Sequence, residues 1–112
     1  MTDTFIHIPK PRVKEGSSFN ATAYFRDSSD AAEAPATAKY RVDCLTTGAV
    51  LQDWTSLVVA VSNTIAMTAT FNAIREQGNR IERKQLTVAA DPGGDTQTRD
   101  SRVWIVENID NF

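Results

Sequence analysis

The sequence predicts an all-β fold of the antiparallel sandwich type, and three features of the chain indicate it. Apolar and polar residues alternate with a period of two in short runs, most clearly in residues 18–26 and 38–44. Clusters of glycine, asparagine, aspartate and serine separate these runs at the spacing of sandwich loops. No run keeps a helical period beyond a short stretch. Together these features predict about seven strands and no long helix.

Composition sets the class of protein and its expected compartment. The 112 residues suffice for one domain with one hydrophobic core. Twelve basic residues stand against fourteen acidic ones, so we expect no nucleic-acid partner and no membrane partner. Cys44 is the single cysteine, which excludes an internal disulfide and a cysteine-based zinc site. The N-terminal sequence lacks the pattern of a secretory signal, and we expect a protein made and used inside the cell.

Residues 1–14 are predicted to form an extended N-terminal arm or edge strand, followed by a single sandwich domain over residues 15–112. Pro9 and Pro11 each remove a backbone donor, which restricts the segment to a sheet edge and predicts a broken strand that switches sheets. We expect this arm to be dispensable for folding and needed for assembly, either by pairing with a neighbour's strand or by lying on its surface.

The next strand and the hairpin after it have the clearest patterns in the chain. In residues 18–26 the odd-numbered positions are apolar and are predicted to face the core: Phe19, Ala21, Ala23 and Phe25. Residues 27–36, rich in alanine and polar side chains, are predicted to be a loop. Residues 38–54 then form two strands around a Thr-Thr-Gly turn, and one face of the first strand carries Tyr40, Val42 and Cys44.

The segments after the hairpin are less regular. Residues 57–61 and 64–71 are predicted to be strand-like, with a short crossing turn at residues 71–75. A tight turn is predicted at residues 91–95. The final strand, residues 102–109, has two apolar faces, so we expect it to be central in a sheet or to lie at a contact.

The penultimate strand, residues 80–91, contains an irregular pattern. Leu86, Val88 and Ala90 share one face, whereas Ile81 falls on the other, and a β-bulge near residues 82–84 would resolve the difference. Charges of both signs occur here and just before, which predicts a solvated strand face or one wall of a polar contact. These charged residues are Arg75, Glu76, Arg80, Glu82, Arg83 and Lys84.

Residues with catalytic or metal-binding chemistry occur singly or in turns. His7 is the one histidine, and no nucleophile or carboxylate at a matching spacing pairs with it. Cys44 alternates with Tyr40 and Val42, which favours a buried small side chain over a reactive thiol. The aspartates lie in turns without the spacing of a calcium loop. We therefore expect a protein that is not an enzyme and has no cofactor and no bound metal.

Trp54 follows the hairpin and has two alternative roles. The ring packs at the rim of the core, or, if it is exposed beside Tyr24 or Trp104, it contacts a protein or a glycan. The second role would fit a carbohydrate-binding or adhesion module, in which aromatic rings stack on sugars and aspartate-rich loops orient hydroxyl groups.

The segment from residue 40 to residue 106 resembles small immunoglobulin-like structural proteins of tailed bacteriophages. The resemblance is carried by YRVDCLTTGAVLQDWTSL, then SNTIAMTATFNAIR, RIERKQLTVAAD and the closing VWIVENI. These are framework residues of the fold, so no catalytic residue follows from them. The resemblance and the strand count together predict an immunoglobulin-like or fibronectin-type antiparallel β-sandwich.

The resemblance implies a virion structural protein, foremost one that decorates and stabilises the capsid through multiple weak interfaces, with a head-to-tail neck or tail-associated protein as the alternative. The implied partners are major capsid, neck or tail proteins of the same virion, with a homo-oligomer as a further option. The implied location is the virion, and the host cytoplasm during assembly. The candidate partner contacts are Ile6, Ile8, Pro9, Pro11, Trp54, Trp104 and Phe112.

Overall fold

The computed structural model describes residues 3–91 and 98–109, and within them the chain is all β, as predicted, with no helix. The described residues form eight strands. In chain order they are β1 (Asp3–His7), β2 (Arg12–Lys14), β3 (Phe19–Arg26), β4 (Thr37–Cys44), β5 (Val50–Ser56), β6 (Ser62–Met67), β7 (Ile81–Asp91) and β8 (Thr98–Glu107). The predicted tight turn at residues 91–95 lies largely outside the described residues.

Two sheets pack face to face around one core. The first has the order β1-β3-β6 and the second the order β2-β8-β7-β4-β5. All pairings are antiparallel except that of β2 with β8, which is parallel. This two-sheet sandwich confirms the predicted fold class and is compatible with an immunoglobulin-like arrangement. Eight strands are found where about seven were expected: the N-terminal segment forms two, and residues 57–61 form none.

The N-terminal segment breaks and switches sheets, as its prolines predict. β1 pairs with β3 in one sheet and β2 pairs with β8 in the other, and both are edge strands. Pro9 and Pro11 lie between them, where the chain leaves one ladder before entering the next. Proline has no backbone N–H, and at these positions outside the strands no ladder hydrogen bond is lost. The Pro11 carbonyl still accepts a hydrogen bond from the Ile105 amide at 2.8 Å.

The same segment is built into the sandwich. Ile6 and Val13 are buried in the core. The Ile6 amide donates to Asp100 Oδ2 at 2.9 Å, and Arg102 Nε donates to the Ile6 carbonyl at 3.1 Å. These bonds join β1 to β8 across the side of the sandwich. Residues 3–14 therefore share the core of the rest of the chain. From this packing we expect them to be needed for folding, which replaces the expectation of a dispensable arm drawn from the sequence.

Residues 57–61 do not form the predicted strand. They are the connection between β5 and β6, which lie in different sheets. The Leu57 amide donates to the Ala38 carbonyl of one sheet, and the Val61 carbonyl accepts from the Phe25 amide of the other. The apolar run thus bridges the two sheets. The crossing turn expected after β6 is present, with a hydrogen bond from the Asn72 amide to the Thr68 carbonyl at 3.1 Å.

The bulge predicted in β7 is absent, since the described pairing of β7 with β8 is continuous from Ile81 with Glu107 to Ala90 with Thr98. Ile81 faces solvent, and the residues facing inward with Leu86 are Glu82 and Lys84. The prediction of a solvated face was therefore wrong for these two charges. Each neutralises the other, which is the condition under which charged side chains are tolerated inside a protein.

Candidate interaction surface

The strand directions define two ends of the sandwich. Residues 27–36 and 57–61, which join β3 to β4 and β5 to β6, lie at one end, which we call the loop end. The connections at residues 15–18, 45–49 and 68–80 lie at the other, the turn end. Each end groups segments that are far apart in sequence, so each is a potential composite contact surface.

The most exposed large apolar side chain of the described residues, Val58, lies at the loop end together with two further exposed valines. Val58, Val59 and Val61 are 83%, 47% and 48% exposed. Leu57 packs against the core, and its amide is hydrogen-bonded to β4, so the connection is anchored where it leaves the sheet. Three exposed valines within four positions form a local apolar patch, which is a candidate contact surface. We call these three residues the valine patch.

Trp54 lies on the outer face of the five-stranded sheet. Lys39 Nζ is 4.7 Å and Arg99 Cζ is 5.4 Å from the centre of its ring. Lys39 and Arg99 flank Ala89 in register, and Ala89 is buried although it lies on this outer face. Two cations therefore cover the ring, and the surface offers guanidinium and ammonium groups beside a partly buried indole.

The structure places the sequence-predicted contact residues in different environments. Ile6 and Trp104 are buried in the core, so they cannot contact a partner of the folded chain, and this corrects the prediction for both. Ile8 is partly buried against the core, while Pro9 and Pro11 are exposed at the sheet switch. Trp54 is partly buried, with Lys39 and Arg99 against its ring. Phe112 lies outside the described residues.

Trp104 is held inside by a specific hydrogen bond. Its Nε1 donates to Asn72 Oδ1 at 2.7 Å, and Phe19 packs against its ring edge-to-face at 5.4 Å between ring centres. The Asn72 side-chain amide in turn donates to the Ser17 carbonyl at 2.8 Å. A buried indole needs such an acceptor, since an unsatisfied N–H is costly in the interior. Trp104 therefore stabilises the turn end from inside the core and does not form a surface for a partner.

A second buried polar cluster contains the ion pair between Glu82 and Lys84 of β7. Lys84 Nζ donates to Glu82 Oε1 at 2.8 Å and to the Ala73 carbonyl at 3.0 Å. The Cys44 sulfur lies 3.6 Å from the same ammonium nitrogen. The side chains of Glu82 and Lys84 are both 0% exposed. The cluster is thus closed to solvent and to any substrate, although its residue types resemble those of a catalytic site.

Glu82 ties the connection at residues 68–80 to the core. Its carboxylate accepts hydrogen bonds from the amides of Arg75 at 2.8 Å and Glu76 at 3.0 Å, and from Asn79 Nδ2 at 3.1 Å. Burial alone raises the pKa of Glu82, but these hydrogen bonds and that from Lys84 outweigh burial and lower the pKa to about 2. The group is therefore an ionised structural anchor.

Sequence reasoning missed the buried polar residues Asn72, Glu82, Lys84 and Asn108. For Glu82 and Lys84 a signal exists in the sequence, because they have the same parity as Leu86, Val88 and Ala90 along one strand. For Asn72 and Asn108 no periodic signal exists, since each follows the end of a strand and makes its bonds to distant backbone.

The described residues offer no group of three or more histidine, cysteine, aspartate or glutamate side chains that could hold a metal ion. His7 is exposed on β1. Within the same residues no helix is long and apolar enough to cross a membrane. No protein-family model, no curated protein and no solved structure matches the chain.

Proposed function

We propose that this protein is a non-enzymatic structural protein of a tailed phage virion, foremost one that decorates and stabilises the capsid through several weak contacts. The valine patch is the observation that carries the proposal. Its side chains are exposed on an anchored connection at one end of a rigid sandwich. Many copies on a symmetric shell would each form a small contact, and the symmetry of the shell would supply avidity.

The resemblance of residues 40–106 to phage immunoglobulin-like proteins supports the virion context. It concerns framework residues such as those of the β4–β5 hairpin, and the structure places these in the sandwich as strands and turns. A head-to-tail neck or tail-associated protein is the alternative position, with fewer copies per particle. The expected partners are capsid, neck or tail proteins of the same virion, and a homo-oligomer is a further arrangement.

A carbohydrate-binding or adhesion module is supported less well. Stacking on a sugar requires an exposed ring face, and every aromatic residue of the described chain is buried or partly buried. Tyr24 stacks on Phe5 at 5.4 Å between ring centres, and the ring of Trp54 is covered by Lys39 and Arg99. Sugar stacking on Trp54 would have to compete with these cations for the ring.

The proposal is tested by sedimentation of the tagged protein expressed together with its neighbouring genes. We expect the protein to migrate with large particles in a sucrose gradient. The double variant Val58→Asp with Val59→Asp is expected to lower the particle-bound fraction at least about tenfold, since a buried carboxylate opposes an apolar contact. A matched control is Leu45→Asp with Ile109→Asp, which changes two exposed apolar residues at the turn end.

Each result has a defined meaning. Loss of binding in the first double variant with retention in the control supports attachment through the valine patch. Equal binding by all three proteins would overturn that role for the patch. Absence of the unmodified protein from particles would overturn the virion proposal itself.

A further inference from the structure

A groove runs beside the edge strand β2. Its volume is about 400 Å³, within the range of sites that hold a ligand or a short peptide segment. Three apolar residues line it, Pro9, Val13 and Phe19, and so do three basic ones, Lys10, Arg12 and Lys14. No acidic side chain lines the groove among the residues that the structure describes. The groove therefore combines an apolar wall with a cationic one.

The backbone of β2 has a free side that faces away from β8. The Pro11 carbonyl and the Glu15 amide bond to β8, so the residues that alternate with them, Arg12 and Lys14, turn their backbone groups outward. The Lys14 carbonyl accepts from the Ser17 amide at 3.1 Å. The Arg12 amide, the Arg12 carbonyl and the Lys14 amide point away from β8, and among the described residues they make no backbone hydrogen bond outside the strand ladders. Such an edge is a template for another strand.

Two of the three basic residues at this edge, Lys10 and Lys14, are without an acidic partner among the described residues. Arg12 pairs with Glu107 at 2.9 Å, whereas Lys10 and Lys14 have no carboxylate within ion-pair distance among the described residues. Both lysines are exposed. The chain as a whole is slightly acidic, so this cationic strip is local, and its complement is an acidic segment of another molecule.

We propose that the free edge of β2 binds an extended segment of a partner protein in which acidic and apolar residues alternate. Side chains of a strand point alternately to its two faces. The acidic side chains of an added strand would lie beside Arg12 and Lys14, and its apolar side chains would lie beside Val13 and Phe19. Backbone bonds to Arg12 and Lys14 would supply the register.

A nucleic acid is the other polyanion that a basic strip attracts, and the observations favour a protein segment. Phosphate binding needs no free backbone edge and no apolar wall, and both are present here. The inference goes beyond the virion proposal, since it concerns a different surface from the valine patch and is tested on the isolated protein.

The test is a peptide titration followed by calorimetry and by amide hydrogen exchange measured with NMR. The probe is a capped Glu-Val-Glu-Val-Glu-Val peptide. One control peptide has the same composition in blocks, one replaces glutamate by lysine, and one is N-methylated along the backbone. We expect the alternating acidic peptide to bind and to slow exchange of the Arg12 and Lys14 amides, while the three control peptides bind at least about tenfold more weakly.

The Lys14→Glu variant separates this site from general attraction. We expect it to weaken binding at least about tenfold. Its matched control, Arg75→Glu, changes the net charge equally at an exposed residue outside the groove and is expected to bind as the unmodified protein does. Thermal unfolding of both variants checks that each remains folded.

Several outcomes would overturn the proposal. They are no binding of the alternating peptide, equal loss of binding in both variants, or no slowing of exchange at Arg12 and Lys14. A single-stranded oligonucleotide that binds more tightly than the peptide, with the same dependence on Lys14, would assign the groove to nucleic acid instead. None of these outcomes depends on whether the protein belongs to a virion.

Discussion

The ion pair of Glu82 and Lys84 holds the turn end of the sandwich together. The pair is fully buried, and three donors from residues 75–79 converge on the Glu82 carboxylate. Removing one partner of a buried pair leaves an uncompensated charge in the interior, which costs far more than losing a surface pair. The stability of the connection at residues 68–80 therefore depends on these two side chains.

The Glu82→Ala variant is expected to lose about 3–5 kcal/mol of unfolding free energy, because Lys84 would remain buried without its partner. Urea unfolding measures this loss. The control is Glu107→Ala, which breaks the exposed pair with Arg12 and is expected to cost about 0–1 kcal/mol. A loss below about 1 kcal/mol for Glu82→Ala would contradict the anchoring role.

Acid is expected to weaken the fold through the same carboxylate. The pKa of Glu82 is about 2 in the folded chain against an ordinary value of 4.5, so its contribution is complete above pH 4.5 and declines as the pH falls toward 2. The unfolding free energy of the Glu82→Gln variant lacks this dependence. The difference between the two proteins should shrink by about 3 kcal/mol over that interval, and a constant difference would contradict the lowered pKa.

Gly48 lies at a backbone position that favours glycine. Its φ is +77°, in the left-handed region, and a Cβ added at this position would meet no atom within 4 Å. Gly48→Ala is therefore expected to cost about 1 kcal/mol from backbone conformation and none from steric overlap. Gly78→Ala is the control, because Gly78 has similar open space without a positive φ. Equal unfolding free energies for the two variants would contradict this explanation.

At the scale of elements, β1 and β2 close the side of the sandwich. Deletion of residues 1–14 is expected to abolish cooperative unfolding, since it removes Ile6 and Val13 from the core and exposes new edges on β3 and β8. Thermal unfolding followed by circular dichroism measures this. A finer test is Ile6→Ala, with an expected loss of about 2–5 kcal/mol, against Val58→Ala, with a change within about 0.5 kcal/mol. Cooperative unfolding of the truncated chain would contradict the account.

The sequence predicts an element well where its alternating residues are apolar on one face. β3 and the β4–β5 hairpin are such elements, and Ala21, Ala23, Phe25, Val42 and Cys44 are buried as expected. The break at Pro9 and Pro11 was also predictable, because proline restricts the ladder by its covalent structure.

Other elements depend on tertiary contacts that no local pattern records. The valines of residues 57–61 have strand-like composition, yet the chain must cross between sheets there. In β7, hydropathy does not predict which side chains are buried. Glu82 and Lys84 are charged yet buried, because they are stabilised by each other and by the distant amides of residues 75 and 76. Trp104 was predictable as a strand residue, but its burial depends on Asn72 as acceptor. The candidate contacts therefore required the structure.

At the scale of the whole molecule, the sandwich presents two surfaces of different chemistry. The valine patch at the loop end is apolar, and the edge of β2 is cationic with free backbone groups. The buried cluster around Glu82 and Lys84 and the buried Trp104 stabilise the sandwich that carries these two surfaces. A rigid module with separate apolar and polar contacts suits a protein that joins neighbouring subunits of a larger assembly.

The copy number of this protein in purified particles tests that account most directly. Quantitative mass spectrometry against the major shell subunit gives the number without assuming a position. A decorating protein is expected in far more than about a dozen copies per particle, and a neck or tail ring in about a dozen or fewer. Particles assembled with all neighbouring genes that contain none of this protein would contradict the proposal that it is a virion component.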